Sequence, residues 1–368
     1  MLVRDGLAGV THRAVAEAAG VSLAATTRHF ATKLDMIAEV SGRVMSEYLA
    51  GLERLCDRVA AGEARDVKSI EDVLTRAVLN GLLRDREKNI AWCELILHGG
   101  RSPEGRDLAR RWYDEIDRVW RLISGALGGG VVVADAVDIA VGLQVLLHPL
   151  RLDRDGAEAV IGGEKSIFHM LDGRLRAHEE EMPGGSGRAR VLAAAINVLV
   201  REGPQALSYR AVSEEAGLSR SAPGYYFDTV DDMLDAAQAA LFRRAKDRYR
   251  LAFQGGDRSA FGIEELADLT SAIFFSEALV YADENLAFYS VWVRAAEREN
   301  MRPAILSALQ DQQRAWDAVL RRVDCPSRNA LRMQALFVGK LIRVIATGPD
   351  VAEMAGARAQ FIAAAQRN

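Results

Sequence analysis

The 368-residue chain lacks most of what would tie it to a membrane, an oxidised scaffold or a catalytic centre. No apolar run approaches the roughly eighteen residues needed to cross a bilayer. The opening "MLVRDGLAGV" has no long apolar core of the kind a secretory leader carries. The three cysteines, Cys56, Cys93 and Cys325, are odd in number, far apart and in no C-x-x-C pair. That excludes a disulfide framework or a zinc site as the natural reading and leaves reduced core thiols in a cytoplasmic protein. The six histidines show no H-E-x-x-H spacing. "GALGGG" and "PGGSG" fit no phosphate-binding loop, and no nucleophile elbow occurs. Neither an enzyme nor a cofactor is expected. The net charge of −4 excludes a globally basic protein. A local basic face suffices for nucleic acid, however, so charge alone decides little.

What the chain does have is a repeat. "HRAVAEAAGVSLAATTRHF", His12 to Phe30, returns as "YRAVSEEAGLSRSAPGYYF", Tyr209 to Phe227, at an offset of 197 positions. Leu2-Val3-Arg4 matches Leu199-Val200-Arg201, and Phe30, Thr32, Asp35 and Met36 match Phe227, Thr229, Asp232 and Met233. A fainter echo at an offset of 196 pairs "EKNIAW" from Glu87 with "DENLAF" from Asp283. The chain therefore reads as a duplicated two-part protein. "HEEEMPGGSGR", His178 to Arg188, has the composition of a linker between the copies.

Alternating strand patterns are scarce, and the fold is read as all-α. Amphipathic patterns predict helices near 34–60, 68–86, 104–126, 134–150, 156–177, 229–254, 262–282, 304–322 and 328–346. "GGGVVV", Gly128 to Val133, is read as a loop entering a helix. The resulting division is a DNA-binding domain at 1–45, a helical body at 46–178, a linker at 179–187, a second DNA-binding domain at 188–235 and a second body at 236–368.

The repeated stretch has the physics of a helix-turn-helix. Thr11 and Ser208 are good N-caps. Ala14, Val15, Ala18 and Ala19 share one side of a short helix. Gly20 and Gly217 stand where a helix end wants a left-handed residue. Val21 or Leu218 is an apolar plug, and Ser22 or Ser219 caps the next helix at once. Small Ala16 and Ser213 suit a close crossing of the two helices. "TKLD" and "TVDD" place Thr and Asp as a capping box for a third helix.

"VTHRAVAEAAGVSLAATTRHFATKLDMI", Val10 to Ile37, resembles the DNA-binding domain of the TetR (tetracycline repressor-like) family, and "GPQALSYRAVSEEAGLSRSAPGYYFDTVDDML", Gly203 to Leu234, resembles it again. The resemblance implies paired recognition helices in successive major grooves of operator DNA, and here an intrachain pseudo-dimer that makes the pair alone. Differing recognition helices then free the operator from palindromic symmetry. By the same resemblance Thr11 and Ser208 cap a helix and touch phosphate. Leu23, Ala24, Ala25 and Arg28 face bases in the first copy, as Arg220, Ser221, Ala222 and Tyr225 do in the second. Lys33 holds backbone phosphate, and His29 and Tyr226 fill the family's aromatic or His position. Phe30 and Phe227 are expected in the core.

The chain departs from the pattern at several points. The family's tyrosine within the recognition helix is Thr27 in one copy and Gly224 in the other. Pro223 disturbs that second helix. Val230 replaces the phosphate-binding lysine and is followed by Asp231 and Asp232, so the second copy is expected to bind DNA less well. The first copy lacks all but the end of the helix that "RARVLAAAINVLVREG" supplies to the second, which points to a native start upstream of Met1.

The family's logic further implies an effector bound in the helical body, here a hydrophobic small molecule. Candidate pocket residues are Trp92, Leu95, Trp112 and Tyr113, with Phe288, Tyr289, Trp292 and Trp316 in the second body; ordinary core is the rival reading for each. Val137–Leu147 and Leu331–Ile345 are expected to face one another. The alternative function is a small-molecule sensor or protein-binding module that has lost its DNA contacts.

Overall fold

The computed structural model describes residues 7, 9–129, 133–163, 186–254, 262–325 and 329–366. The chain is all-α, with no strand among the described residues. The expected linker at 179–185, and the part of the predicted 156–177 helix beyond residue 163, lie outside them; Ser186 and Gly187 already belong to a helix.

The first copy of the repeat folds as α1 (His12–Ala19), α2 (Leu23–His29) and α3 (Lys33–Ala60). Gly20 ends α1 in the left-handed region at φ 65°, and its counterpart Gly217 has φ 62°. A β-carbon is unfavourable in that conformation, which is why both turns carry glycine. Thr32 and Asp35 cap α3 reciprocally, the Thr32 N–H donating to Asp35 at 2.7 Å.

The first body consists of α4 (Ile70–Leu82), α5 (Arg86–Gly99), α6 (Pro103–Ala126), α7 (Val133–Leu147) and α8 (Arg154–Ile161). The second head is α9 (Ser186–Glu202), α10 (Tyr209–Ala216) and α11 (Ala222–Tyr226). The second body follows as α12 (Val230–Gln254), α13 (Ile263–Leu279), α14 (Ala282–Arg294), α15 (Arg302–Arg322), α16 (Asn329–Thr347) and α17 (Val351–Gln366).

Helix α5 has no clear amphipathic pattern, and α14 has a weak one. Each is buried on all sides, without a break from Asn89 to Leu97 and from Asn285 to Val293. A helix covered all round loses the 3.6-residue alternation by which surface helices are read. They also pack on one another, so the two bodies share one core.

The most extensive helix–helix contact joins α7 to α16, the pair expected to face one another. It closes through glycine on both sides. A Cβ at Gly142 would fall under 3.0 Å from the Ala335 backbone, and one at Gly339 under 3.0 Å from the Asp138 backbone. A buried charge cluster locks the same contact. Arg343 Nε donates to Asp138 at 2.7 Å and its NH1 to Asp117 at 2.8 Å, while Lys340 Nζ lies 3.6 Å from Asp138. The Arg343 guanidinium stacks 4.2 Å from the centroid of the Tyr113 ring. Breaking one member would leave a buried charge uncompensated, at a cost of about 3–5 kcal/mol.

Candidate functional site

The first head presents a narrow polar face. Thr11 Oγ1 accepts from the Ala14 N–H at 3.1 Å and Ser22 Oγ from the Ala25 N–H at 3.2 Å, so both helices start on satisfied caps. Leu23, Ala24, Thr27, Arg28 and His29 are exposed, Ala25 is half-buried, and Leu23 is 48% accessible, high for so apolar a side chain. Arg28 makes no ion pair among the described residues. The Thr27 hydroxyl is engaged, donating to the Leu23 and Ala24 carbonyls at 3.2 Å. Phe30, expected in the core, is half-buried. Lys33 opens α3 half-buried, and burial lowers its ammonium pKa.

In the second head Ser208 caps α10 by accepting from Ala211 at 3.1 Å. Ser219 does not cap the next helix as the sequence predicts. Its carbonyl instead accepts from Ala222 in a turn, and α11 is only five residues long. Pro223 supplies the reason: it has no N–H to donate, and its ring restricts the residue before it. Arg220, Ser221 and Tyr225 are exposed, and Arg220 makes no ion pair among the described residues. Ala222 is half-buried. Tyr226 is partly turned inward, its hydroxyl set so close to Gly187 that a Cβ there would clash. It is therefore less available to DNA than its position in the motif implies.

The two carboxylates after this head are both engaged. Arg298 NH1 reaches Asp231 at 2.7 and 2.8 Å, and Asp232 accepts from the Thr229 N–H at 2.9 Å. The repulsion of phosphate expected from them is reduced accordingly.

A chamber of about 550 Å³ opens in the first body between α3, α4, α5, α6 and α7. Trp92, Trp120, Ile116, Val137 and Val141 form its apolar floor. Buried Asn89 and Gln144 form a polar wall, Asn89 Nδ2 donating to Gln144 Oε1 at 3.0 Å. The Trp92 indole N–H is buried without a hydrogen-bond partner. The mouth carries Arg54, Arg58, Arg76, Arg84 and Lys88. Arg76 is paired with Asp66 at 2.9 Å, Arg84 with Asp85 at 2.7 Å, and Lys88 with Glu47. Exposed Arg54 and Arg58 have no carboxylate partner among the described residues.

The polar wall continues across the molecule. His148 Nε2 donates to Asn89 Oδ1 at 2.5 Å, and Arg86 NH1 donates to His148 Nδ1 at 3.3 Å. Only a neutral imidazole protonated at Nε2 satisfies both partners. Burial, aided by the Arg86 charge, pushes this histidine down to about 3. Arg86 NH2 then reaches the Ala296 carbonyl at 2.9 Å and Glu297 at 3.0 Å in the second body. The next residue, Arg298, holds Asp231 at the start of α12.

Of the aromatic candidates, Trp92 lines the chamber. Leu95, Trp112 and Tyr113 are buried but do not line it; Tyr113 is occupied beneath Arg343. Phe288 and Tyr289 border a residual space of about 10 Å³ in the second body. Trp292, fully buried, packs 5.4 Å from Phe288, and Trp316 lies edge-on to Phe337 at 6.3 Å. Neither borders that space. Apolar ring content thus marked core more often than cavity. Missed altogether were Arg54, Arg58, Asn89, Gln144 and the glycines beside them. The usable signal was the difference between the copies at Gly51 and Gly81, which are Arg248 and Glu277 in the second body, beside an Asn89 that both copies share.

No protein-family model matches the chain, and no curated protein does. Among solved structures, "multidrug binding protein EbrR complexed with imidazole" aligns at a TM-score of 0.39 and 23% identity, over 50% of this chain and 98% of that one.

Proposed function

We propose that this chain is a DNA-binding transcriptional regulator of the TetR-like kind, a ligand-responsive repressor that reads a two-half-site operator as a single-chain pseudo-dimer. The observation that carries the reading is the pair of helix-turn-helix heads, each ending in an exposed recognition segment with an arginine, Arg28 or Arg220, free of any ion pair among the described residues. Free guanidinium groups, Arg28 on an exposed helix and Arg220 in the exposed turn before α11, suit guanine edges or phosphate. The α7–α16 contact supports one rigid body carrying both heads. Paired heads of this type are held roughly 34–36 Å apart on successive major grooves.

The route for an effector is α3. One helix of 28 residues starts at the first head with Lys33 and lines the chamber from Val44 to Arg58. A ligand that tilts this helix moves the head attached to it. The hydrogen-bonded series from Asn89 to Asp231 offers the second head a connection to the same chamber.

The test is fluorescence anisotropy of the full chain on DNA from upstream of its own gene, over a series of salt concentrations. Sequence-preferring binding that weakens steeply with salt is the expected result. No binding at low salt supports the second reading, a sensor of the same fold without DNA contacts. The shortened α11 is the observation in its favour.

A further inference from the structure

The two bodies differ where their designs are otherwise parallel. Gly51 lines the chamber, and the residue 197 positions on is Arg248. Gly81 and Lys88 also line it, and the residues 196 positions on are Glu277 and Glu284. The register of the second pair is fixed by a shared neighbour. A Cβ on Gly81 would lie 3.0 Å from Asn89 Nδ2, while Glu277 accepts from Asn285 Nδ2 at 2.8 Å.

These three substitutions act together. Arg248 Nε and NH2 reach Glu277 at 2.7 and 2.8 Å, and Arg248 NH1 reaches Glu284 at 3.0 Å. The guanidinium also lies 3.9 Å from the Tyr281 ring centroid. Glu277 is 1% exposed, so the group fills the interior. About 10 Å³ remains there, against about 550 Å³ in the first body. Two glycines leave the first space open, and an ion-paired plug closes the second.

We propose that the chain holds a single ligand chamber, in its first body, and that it takes one organic anion per chain: a carboxylate or sulfonate on a flat apolar body. Arg54 and Arg58 meet the acid group at the mouth, where guanidinium forks suit carboxylate and sulfonate oxygens. The flat body lies on Trp92 and Trp120. An acceptor atom at its inner end takes the unpartnered Trp92 N–H, whose burial without a bond is otherwise costly. The volume lies within the range of chambers that enclose small organic ligands. The hydrophobic small molecule expected from the sequence is narrowed to an amphiphile with an acid group. This deepens the regulator reading and rests on it for its biological sense, but binding is testable on the protein alone.

The experiment is isothermal titration of the full chain, without DNA, with 8-anilinonaphthalene-1-sulfonate and with its uncharged parent N-phenyl-1-naphthylamine. One sulfonate per chain is expected. Arg54→Ala/Arg58→Ala should weaken the sulfonate about tenfold and leave the uncharged compound within about twofold. Both arginines are exposed, so this variant keeps the fold, checked by circular dichroism. Gly51→Arg/Gly81→Glu/Lys88→Glu, which copies the second body's ion-paired group with both of its carboxylates, should abolish sulfonate binding. Two equivalents per chain, an unchanged affinity in the double variant, or sulfonate binding that persists in the folded triple variant each overturn the proposal. Because DNA is absent, failure here leaves the operator reading standing, and absence of DNA binding leaves this one standing.

Discussion

Gly142 lies against the Ala335 carbonyl, and Gly339 stands in the same relation to the Asp138 carbonyl. Gly142 and Gly339 are 197 positions apart, as are Asp138 and Ala335. In such a reciprocal contact residue i meets j and j's counterpart meets i's, the signature of a two-fold interface between identical units. We read it as a dimer interface drawn inside one chain.

A methyl group at either glycine has nowhere to go, because the obstacle is backbone. Gly142→Ala should destabilise the chain by about 3 kcal/mol or more, as overpacking against an immovable neighbour does. Gly125→Ala, in α6 with nothing within 4 Å of the added Cβ, should instead be neutral or stabilising by about 1 kcal/mol. Urea unfolding of the two variants decides it; equal midpoints would show that the α7–α16 contact yields to a methyl group.

The two heads should contribute differently to DNA binding. Lys33→Ala should weaken binding evenly across sequences and lower the salt slope by about one. Arg28→Ala and Arg220→Ala should each relax preference within one half-site, at about 1–3 kcal/mol apiece. Anisotropy titrations on operators altered in one half-site at a time separate these effects. A preference that stays symmetric after either arginine change argues against separate reading.

The Arg298–Asp231 pair makes a prediction of its own. Arg298→Ala would leave the Asp231 carboxylate unmatched at the start of α12, beside the second head. DNA affinity at low salt should fall severalfold. Asp231→Asn in the same background should restore it, while Asp231→Asn alone should change little. Failure of the double variant to recover would assign Arg298 a purely structural role.

Stability should respond to pH through Glu94. Burial raises this carboxyl from 4.5 to about 7, against the opposing pull of Arg294. Between those values the folded chain keeps a proton that the unfolded chain has released. Its contribution is therefore complete below about pH 4.5 and lost as pH rises through about 7. Glu94→Gln does not titrate, so its stability relative to the parent should climb by on the order of 3 kcal/mol from pH 4 to 8. Denaturation of both proteins across that range measures the difference, in which other titrating groups such as Asp235 cancel. A constant difference would contradict the burial argument.

Much of the helical plan was legible because it is local. Thr11, Gly20 and Ser22 announce two short helices and their turn by cap chemistry alone, and Thr32 with Asp35 announces the next. Helices α5 and α14 escaped the periodic reading although the repeat flagged both segments, since total burial erases an amphipathic stripe. The start of α11 was misjudged because Ser219 satisfies the cap rule while Pro223 overrides it.

The sequence by itself determined the helices, the heads and the repeat, all of which follow from hydrogen-bond demands and apolar spacing within a few turns of chain. Only the tertiary structure decided which body is hollow. Arg248, Glu277 and Glu284 read separately as ordinary surface charges, and Gly51 and Gly81 as unremarkable helix glycines. Whether three charges become a plug, or two glycines a chamber, depends on side chains from different helices converging in space, and no local rule encodes that distance.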